Sequence, residues 1–156
     1  MGLPGRRLAL AAAAVLAAAA LLWPVPVLEV RNDSRGTTRV FRLGPGRTFS
    51  VTYRHSLYDQ PVTEEFSAAP GGLALTRLAS PSGAVLEYFG FPDSAPSRAM
   101  QRRLGTVVFR VAAGEAQQLE AAGRRVSFLA LGDHGDRLTA RASAVPRWAL
   151  LLAGTP

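Results

Sequence analysis

Apolar and polar residues alternate along most of this 156-residue chain once its first 26 positions have passed. A period of two is typical of β-strands that bury one face, because successive side chains point to opposite sides of a sheet. The clearest run covers residues 48–56, in which Phe49, Val51, Tyr53 and His55 share one face. The pattern predicts a protein built mainly of strands.

Similar runs recur about every ten residues, with glycine, proline and other turn residues between them. The remaining predicted strands lie around residues 28–30, 40, 62–67, 73–78, 85–91, 107–111, 126–130 and 138–142. The turn-rich gap from Asn32 to Gly36 predicts that the segment around Glu29 pairs with Val40. Evenly spaced short strands are typical of sandwiches and barrels. We therefore predict an all-β fold, a single antiparallel β-sandwich or partly open barrel, preceded by an N-terminal hydrophobic helix.

Three segments fit the alternating pattern less well. Residues 113–122 favour a helix by propensity, but Ala122-Gly123 also fits the turn of a hairpin. Residues 92–100 are predicted to form a loop. Residues 148–153 are apolar but too few to cross a bilayer. We expect this tail to be a last core strand, with contact to a membrane or a partner as the alternative.

The N-terminal segment has the features of an export signal. Arg6 and Arg7 precede a wholly apolar run from Leu8 to Trp23, which matches the charged and apolar regions of a signal peptide. Apolar character continues to residue 28, long enough to span a bilayer. Residues 1–26 are therefore predicted to be a signal peptide or membrane anchor, and residues 27–156 an extracytoplasmic β-domain. Cleavage near residue 20 and retention in the cytoplasmic membrane through residues 8–28 both stay open.

Charge and composition exclude several classes of function. The 18 basic residues are all arginine, and with 11 acidic residues the net charge is +7. The arginines are scattered and lack the interleaved aromatic residues that bind single strands, so we predict no nucleic-acid partner. The absence of cysteine excludes disulfides, cysteine-based zinc sites and a thiol nucleophile. Two histidines exclude a histidine-rich metal centre, and we predict no metal and no cofactor.

The densest cluster of functional groups lies around the predicted hairpin of residues 48–68. If His55 pairs with Val62, Glu64 lies on an apolar face as a diagonal neighbour of His55. A half-buried carboxylate needs a partner, which the Tyr53 hydroxyl, His55 or an arginine of a neighbouring strand would supply. The cluster is interpreted as a register-fixing bridge, a ligand or partner contact, or a catalytic set. Because the side chains of His55 and Ser56 point apart on a strand, we predict no catalytic residue.

A longer pattern surrounds these residues. It reads Tyr53-x-His55-Ser56-Leu57-Tyr58-x-x-Pro61-Val62-x-Glu64-x-Phe66 and follows an apolar segment that leads into Leu28-Glu29-Val30. The arrangement resembles the bacterial family called domain of unknown function 1850, over nearly the whole chain after the N-terminal segment. Carried over by resemblance, the signature positions are Tyr53, His55, Ser56, Pro61, Val62 and Glu64.

The resemblance implies a place for the protein rather than a reaction. Members are small exported or membrane-anchored proteins, often associated with tripartite (TRAP-type) solute transporters that use TAXI-type binding proteins. We therefore expect a non-enzymatic accessory protein that is anchored at the outer face of the cytoplasmic membrane and contacts a transporter membrane subunit. A free periplasmic module that binds a small ligand near Tyr53, Arg54 and His55 is the alternative, and an exported hydrolase is a third hypothesis.

Overall fold

The computed structural model describes residues 3–91, 96–114 and 117–152. The chain divides into a helical unit, made of Met1–Pro26 and Ala144–Pro156, and a β unit, Val27–Ser143. The helices are α1 (Leu3–Leu22), α2 (Gly83–Tyr88) and α3 (Arg147–Leu152). The strands are β1 (Pro24–Asn32), β2 (Thr37–Arg42), β3 (Thr48–Arg54), β4 (Pro61–Ala69), β5 (Gly72–Ala79), β6 (Ser97–Leu104), β7 (Val107–Arg110), β8 (Gln118–Ala121), β9 (Arg124–Ser127) and β10 (Arg137–Pro146).

The strands form two antiparallel sheets. One has the order β2-β1-β10-β7 and the other the order β6-β5-β4-β3-β8-β9. The predicted pairing of Glu29 with Val40 is confirmed in the β1–β2 hairpin. The all-β prediction is also confirmed, and the arrangement is a sandwich rather than a closed barrel.

Alternate residues of both sheets fill the larger core. It contains Leu28 and Val30 from β1, Phe49 and Val51 from β3, and further side chains from β4, β5, β8 and β10. The rings of Phe49 and Phe66 face each other across β3 and β4 and stack with centroids 4.9 Å apart. Each fully buried side chain of this size contributes about 1.5–3 kcal/mol by leaving water. Burial of the apolar face of each sheet therefore stabilises the sandwich.

A second, smaller core lies under α2. Val85 and Leu86 of this helix are buried together with Val62 of β4 and Leu78 of β5. The strand predicted over residues 85–91 was therefore wrong. Two successive apolar residues point to opposite faces of a strand, whereas on a short helix both can face the sheet.

The structure bears on three further predictions. The tail is helix α3 rather than a core strand, because an apolar run without a period does not distinguish the two. Within the predicted loop of residues 92–100, β6 begins at Ser97, and residues 92–95 lie outside the described residues. In residues 113–122 the hairpin interpretation is confirmed and the helix is wrong, although residues 115–116 are not described.

Helix α1 has the composition and length of a membrane span. Residues Gly5–Leu22 have a mean hydropathy of 1.7, and none of this segment is buried in the protein. A signal sequence would meet the same criterion, so by length and composition α1 could be a signal peptide or a membrane anchor. Its leucines from Leu8 to Leu22 are between 44% and 76% exposed.

A buried amide links the end of β1 to the chain before β10. The Asn32 side chain donates hydrogen bonds to the carbonyl oxygen of Leu131 at 3.2 Å and to Oδ2 of Asp136 at 2.8 Å. Its own carbonyl oxygen accepts the backbone N–H groups of Ser34 and Arg35. All hydrogen-bonding groups of this side chain are therefore used, as a buried amide requires.

Candidate functional site

The β3–β4 hairpin positions the residues of the signature. Tyr53 pairs with Val62, Val51 with Glu64 and Phe49 with Phe66. The predicted register, with His55 opposite Val62, was wrong by two residues. Strand β3 ends at Arg54, and the chain then forms a turn that an alternating pattern does not anticipate.

The turn of residues 55–60 is closed by its own backbone. The N–H of His55 donates to the carbonyl oxygen of Gln60, and the N–H of Asp59 donates to the carbonyl oxygen of His55, both at 2.8 Å. On the outer side, Arg54 Nε donates to Oδ1 of Asp59 at 2.7 Å. Arg54 is thus engaged with the turn itself, on the face opposite Tyr53.

Tyr53 and Glu64 form the polar pair of the apolar face. Their side chains are half-buried, and the Tyr53 hydroxyl donates to Oε1 of Glu64 at 3.1 Å. Of the three partners considered from the sequence, the structure therefore uses the tyrosine. Burial raises the pKa of Glu64 above its ordinary value, and the Tyr53 hydrogen bond opposes this rise only in part. Burial and the charge of Glu64 raise the pKa of Tyr53.

His55 lies at the centre of an aromatic cluster. It is 7% exposed, and its ring contacts Tyr58, Tyr88 and Phe89 with centroid distances of 5.3, 4.7 and 5.7 Å. The backbone N–H of Leu57 donates to its Nδ1 at 3.3 Å. This bond requires Nδ1 to be unprotonated, so the neutral ring carries its proton on Nε2. The expected contact between His55 and Glu64 is replaced by these ring contacts.

Around this buried histidine the surface is apolar. Leu57 is 68% exposed and Tyr88 is 62% exposed, and the Tyr58 ring packs beside Tyr88 with a centroid distance of 6.3 Å. We call Leu57, Tyr58 and Tyr88 the aromatic patch. It joins the turn of the signature to α2, two elements that are distant in sequence.

The other signature residues support the turn. Val62 is fully buried in the smaller core, and Pro61 begins β4. The Pro61 carbonyl oxygen accepts a hydrogen bond from the buried hydroxyl of Ser80 at 2.8 Å. Ser56 is exposed in the turn and follows His55 directly. The burial of Val62 and the hydrogen bond that the Pro61 carbonyl accepts give these two residues a structural role.

Sequence reasoning missed three contributors to this site. Tyr88 and Phe89 supply two of the three rings around His55, but the sequence placed them on a strand. The only signal available was the aromatic character of residues 85–91. Ser80 was missed as well, because a single serine before a proline carries no distinguishing pattern.

Away from the signature, the β unit has a surface groove of about 360 Å³. Ser50, Glu65 and Glu120 line it, on the face of β3 opposite Tyr53. Both carboxylates are already paired, Glu65 with Arg77 and Glu120 with Arg125. Among residues 3–91, 96–114 and 117–152, no three histidine or acidic side chains converge on a possible metal position.

Comparisons of the chain with protein-family models, with curated proteins and with solved structures find no match. Three aromatic rings pack against the imidazole of His55 and leave little of it exposed. The large hydrophobic side chains exposed in this region are those of the aromatic patch, one leucine and two tyrosines. The tyrosine rings are apolar on their faces and polar at the hydroxyl.

Proposed function

We propose that this chain is a membrane-anchored, extracytoplasmic β-sandwich that acts as a non-enzymatic accessory protein of a solute transporter. The observation that carries the proposal is the aromatic patch, held in place by a buried histidine. The class of partner, the membrane subunit of a TRAP-type transporter of the TAXI kind, comes from the resemblance of the signature to domain of unknown function 1850.

The chemistry of the patch supports a protein contact. Tyrosine is enriched among the residues that dominate interface energetics, since it buries a large area and loses little rotamer freedom. Tyr88 and Leu57 are largely exposed in the isolated chain. Because an exposed apolar group is costly in water, covering these two side chains would give a partner most of its binding energy.

The buried part of the signature supports the same role. His55 packs against the inner sides of Tyr58 and Tyr88, so it fixes the position of the patch rather than reaching a partner itself. Tyr53 belongs to both cores and binds Glu64. These residues keep the turn rigid, which lowers the entropy lost when a partner binds.

The contact between α1 and α3 supports the anchored form over the secreted one. The N–H of Arg147 donates to the carbonyl oxygen of Trp23 at 3.1 Å, and α3 packs against α1. Because α3 can make this contact only while α1 remains part of the chain, the contact favours an uncleaved N-terminus. The two arginines at residues 6 and 7 orient the anchor with the β-domain outside the cytoplasm.

The proposal is tested by affinity capture of the full chain, tagged after residue 156, from native membranes in a mild detergent. The double variant Leu57→Ser with Tyr88→Ser removes the patch. The matched control is Val108→Ser with Leu129→Ser, which changes two exposed apolar residues elsewhere. Interface residues of this kind contribute about 2 kcal/mol or more each, so the first variant is expected to lose the co-eluting transporter subunit while the control keeps it.

The internal variants separate function from folding. His55→Ala and Glu64→Ala are expected to weaken partner retention while circular dichroism still shows the folded β-domain. Unfolding of both would make the signature purely structural. Recovery of the bait alone, cleaved near residue 20 and in the soluble exported fraction, would contradict the proposal. That outcome would favour a free ligand-binding module and direct ligand screening to the groove beside Ser50.

A further inference from the structure

The two tryptophans of the chain lie together in the helical unit. Trp23 directly follows α1, and Trp148 is the second residue of α3. The hydrogen bond from the N–H of Arg147 to the carbonyl oxygen of Trp23 joins the two positions. Trp23 is 64% exposed and Trp148 is 43% exposed, so two large indole groups face outward at one end of α1.

Helix α3 has one covered side and one bare side. Leu150 is 8% exposed, whereas its neighbour Leu151 is 69% exposed. Helix α3 packs against α1, so part of its surface is already in contact with the anchor. Trp148 and Leu151 of α3 are exposed, as are Leu21 and Leu22 at the end of α1.

The distribution of residue types in this unit matches a bilayer. Arg6 and Arg7 lie near the start of α1, and the two tryptophans lie at its far end. Tryptophan is enriched where the hydrocarbon core meets the headgroups, because its ring is apolar and its N–H is polar. Arg147 precedes Trp148 and is hydrogen-bonded through its backbone to Trp23, and its long stem can lie along acyl chains while its guanidinium reaches the phosphates.

We propose that α3 is a second membrane contact, a short helix that lies in the outer headgroup layer beside the end of α1, with lipid as its partner. The inference rests on the proposed anchoring of α1. Six residues extend only about 9 Å at 1.5 Å per residue, enough to enter the interface and far too short to span it. The bare side of α3 would face lipid and its covered side the anchor.

Tryptophan fluorescence of the full chain in phosphatidylcholine–phosphatidylglycerol vesicles tests the inference. Trp23→Phe leaves Trp148 as the sole indole, and Trp148→Phe leaves Trp23. Each variant is compared in plain vesicles, in vesicles brominated high on the acyl chains and in vesicles brominated near the bilayer centre. Trp148 is expected to emit at a shorter wavelength than in water, with more loss of emission from the high bromine than from the deep one. Trp23 is expected to behave in the same way.

The outcomes separate this inference from the proposed function. If Trp23 is quenched but Trp148 emits as in water, α3 does not contact lipid and the anchor remains. If neither is quenched, both the inference and the anchoring are wrong. A blue-shifted Trp148 that no bromine quenches would mean that protein, not lipid, covers α3, and would overturn the inference. Leu151→Asp in the Trp23→Phe background is expected to reduce the quenching of Trp148, whereas Leu129→Asp in the β unit is not.

Discussion

The Tyr53 hydroxyl and Oε1 of Glu64 are hydrogen-bonded at 3.1 Å across β3 and β4, on a face that otherwise carries apolar side chains. This pair gives the β-domain an unusual dependence of stability on pH. The pKa of Glu64 lies above its ordinary value of 4.5 in the folded protein. The folded state therefore holds this proton more tightly than the unfolded state does.

From this difference we predict that Glu64→Gln stabilises the protein at neutral pH. In the wild type, the contribution of Glu64 to stability is fully present below pH 4.5 and is lost as the pH rises through the folded-state pKa. Glutamine keeps the acceptor for Tyr53 and carries no charge. Urea unfolding at a series of pH values should show a wild-type-to-variant difference that grows from pH 4.5 toward neutral. A difference that is constant with pH would contradict the assignment.

Removing the donor instead should destabilise the protein. Tyr53→Phe leaves the Glu64 carboxylate without its hydrogen bond, which we expect to cost about 1–2 kcal/mol at neutral pH. The pKa of Glu64 should rise further, since this bond is the one that lowers it. A double-mutant cycle with Glu64→Ala, which removes the acceptor, measures the coupling. If the two changes are simply additive, the hydrogen bond makes no energetic contribution.

The Asn32 amide should be among the most sensitive polar positions. We predict that Asn32→Ala lowers the free energy of unfolding by about 2–3 kcal/mol, because the four hydrogen bonds of this buried amide are lost together. Arg125→Ala, which breaks an exposed ion pair with Glu120, is the control and should cost less than about 1 kcal/mol. Similar losses in the two variants would argue against a special role for the amide.

The hydrogen bonds of Asn32 also affect how the stability of the protein falls at low pH. The Asn32 amide, together with Arg35, holds the pKa of Asp136 below its ordinary value of 3.8. The stabilising contribution of Asp136 is thus present above pH 3.8 and is lost as the pH falls below it. Asp136→Asn is expected to flatten this acid limb in urea titrations at low pH. Glu64→Gln should leave the limb in place.

Two adjacent glycines should respond very differently to alanine. A Cβ on Gly72 would lie 2.7 Å from the carbonyl oxygen of Leu104 and closer still to that of Gly105, whereas Gly71 has open space. We predict that Gly72→Ala costs about 3 kcal/mol or more by forcing β5 away from β6. Gly71→Ala should cost about 1–2 kcal/mol, from its left-handed backbone alone. Equal melting temperatures for the two variants would contradict the close approach.

The alternating pattern predicted the sheets well and the helices poorly. Strands β3, β4 and β10 bury one face, so their period of two is visible in the sequence. Strand β6 is largely exposed and carries three arginines, so it has no such pattern. Residues 85–91 and 148–153 are apolar on successive positions, and a short apolar run does not distinguish strand from helix.

The sequence predicted many of the residues of the candidate site but not how they are arranged. Moving the β3–β4 register by two residues keeps the same side chains on the same face, so alternation alone cannot select the pairing. The six-residue turn decides it, through the hydrogen bonds between His55 and both Asp59 and Gln60. Tyr88 reaches His55 only because α2 folds back over the sheet, a contact that no local pattern specifies.

The order of strands has a consequence for how the chain is made. Strand β10 lies between β1 and β7 in the four-stranded sheet, yet it follows all the other described strands along the chain. Every strand of the other sheet is complete by Ser127. The four-stranded sheet, and the Asn32 network with it, can close only after the segment that leads into β10 has been synthesised, because long-range contacts wait for both partners. The two sheets therefore differ in when they can form, because the six-stranded sheet needs no residue of β10 whereas the four-stranded sheet cannot close without it.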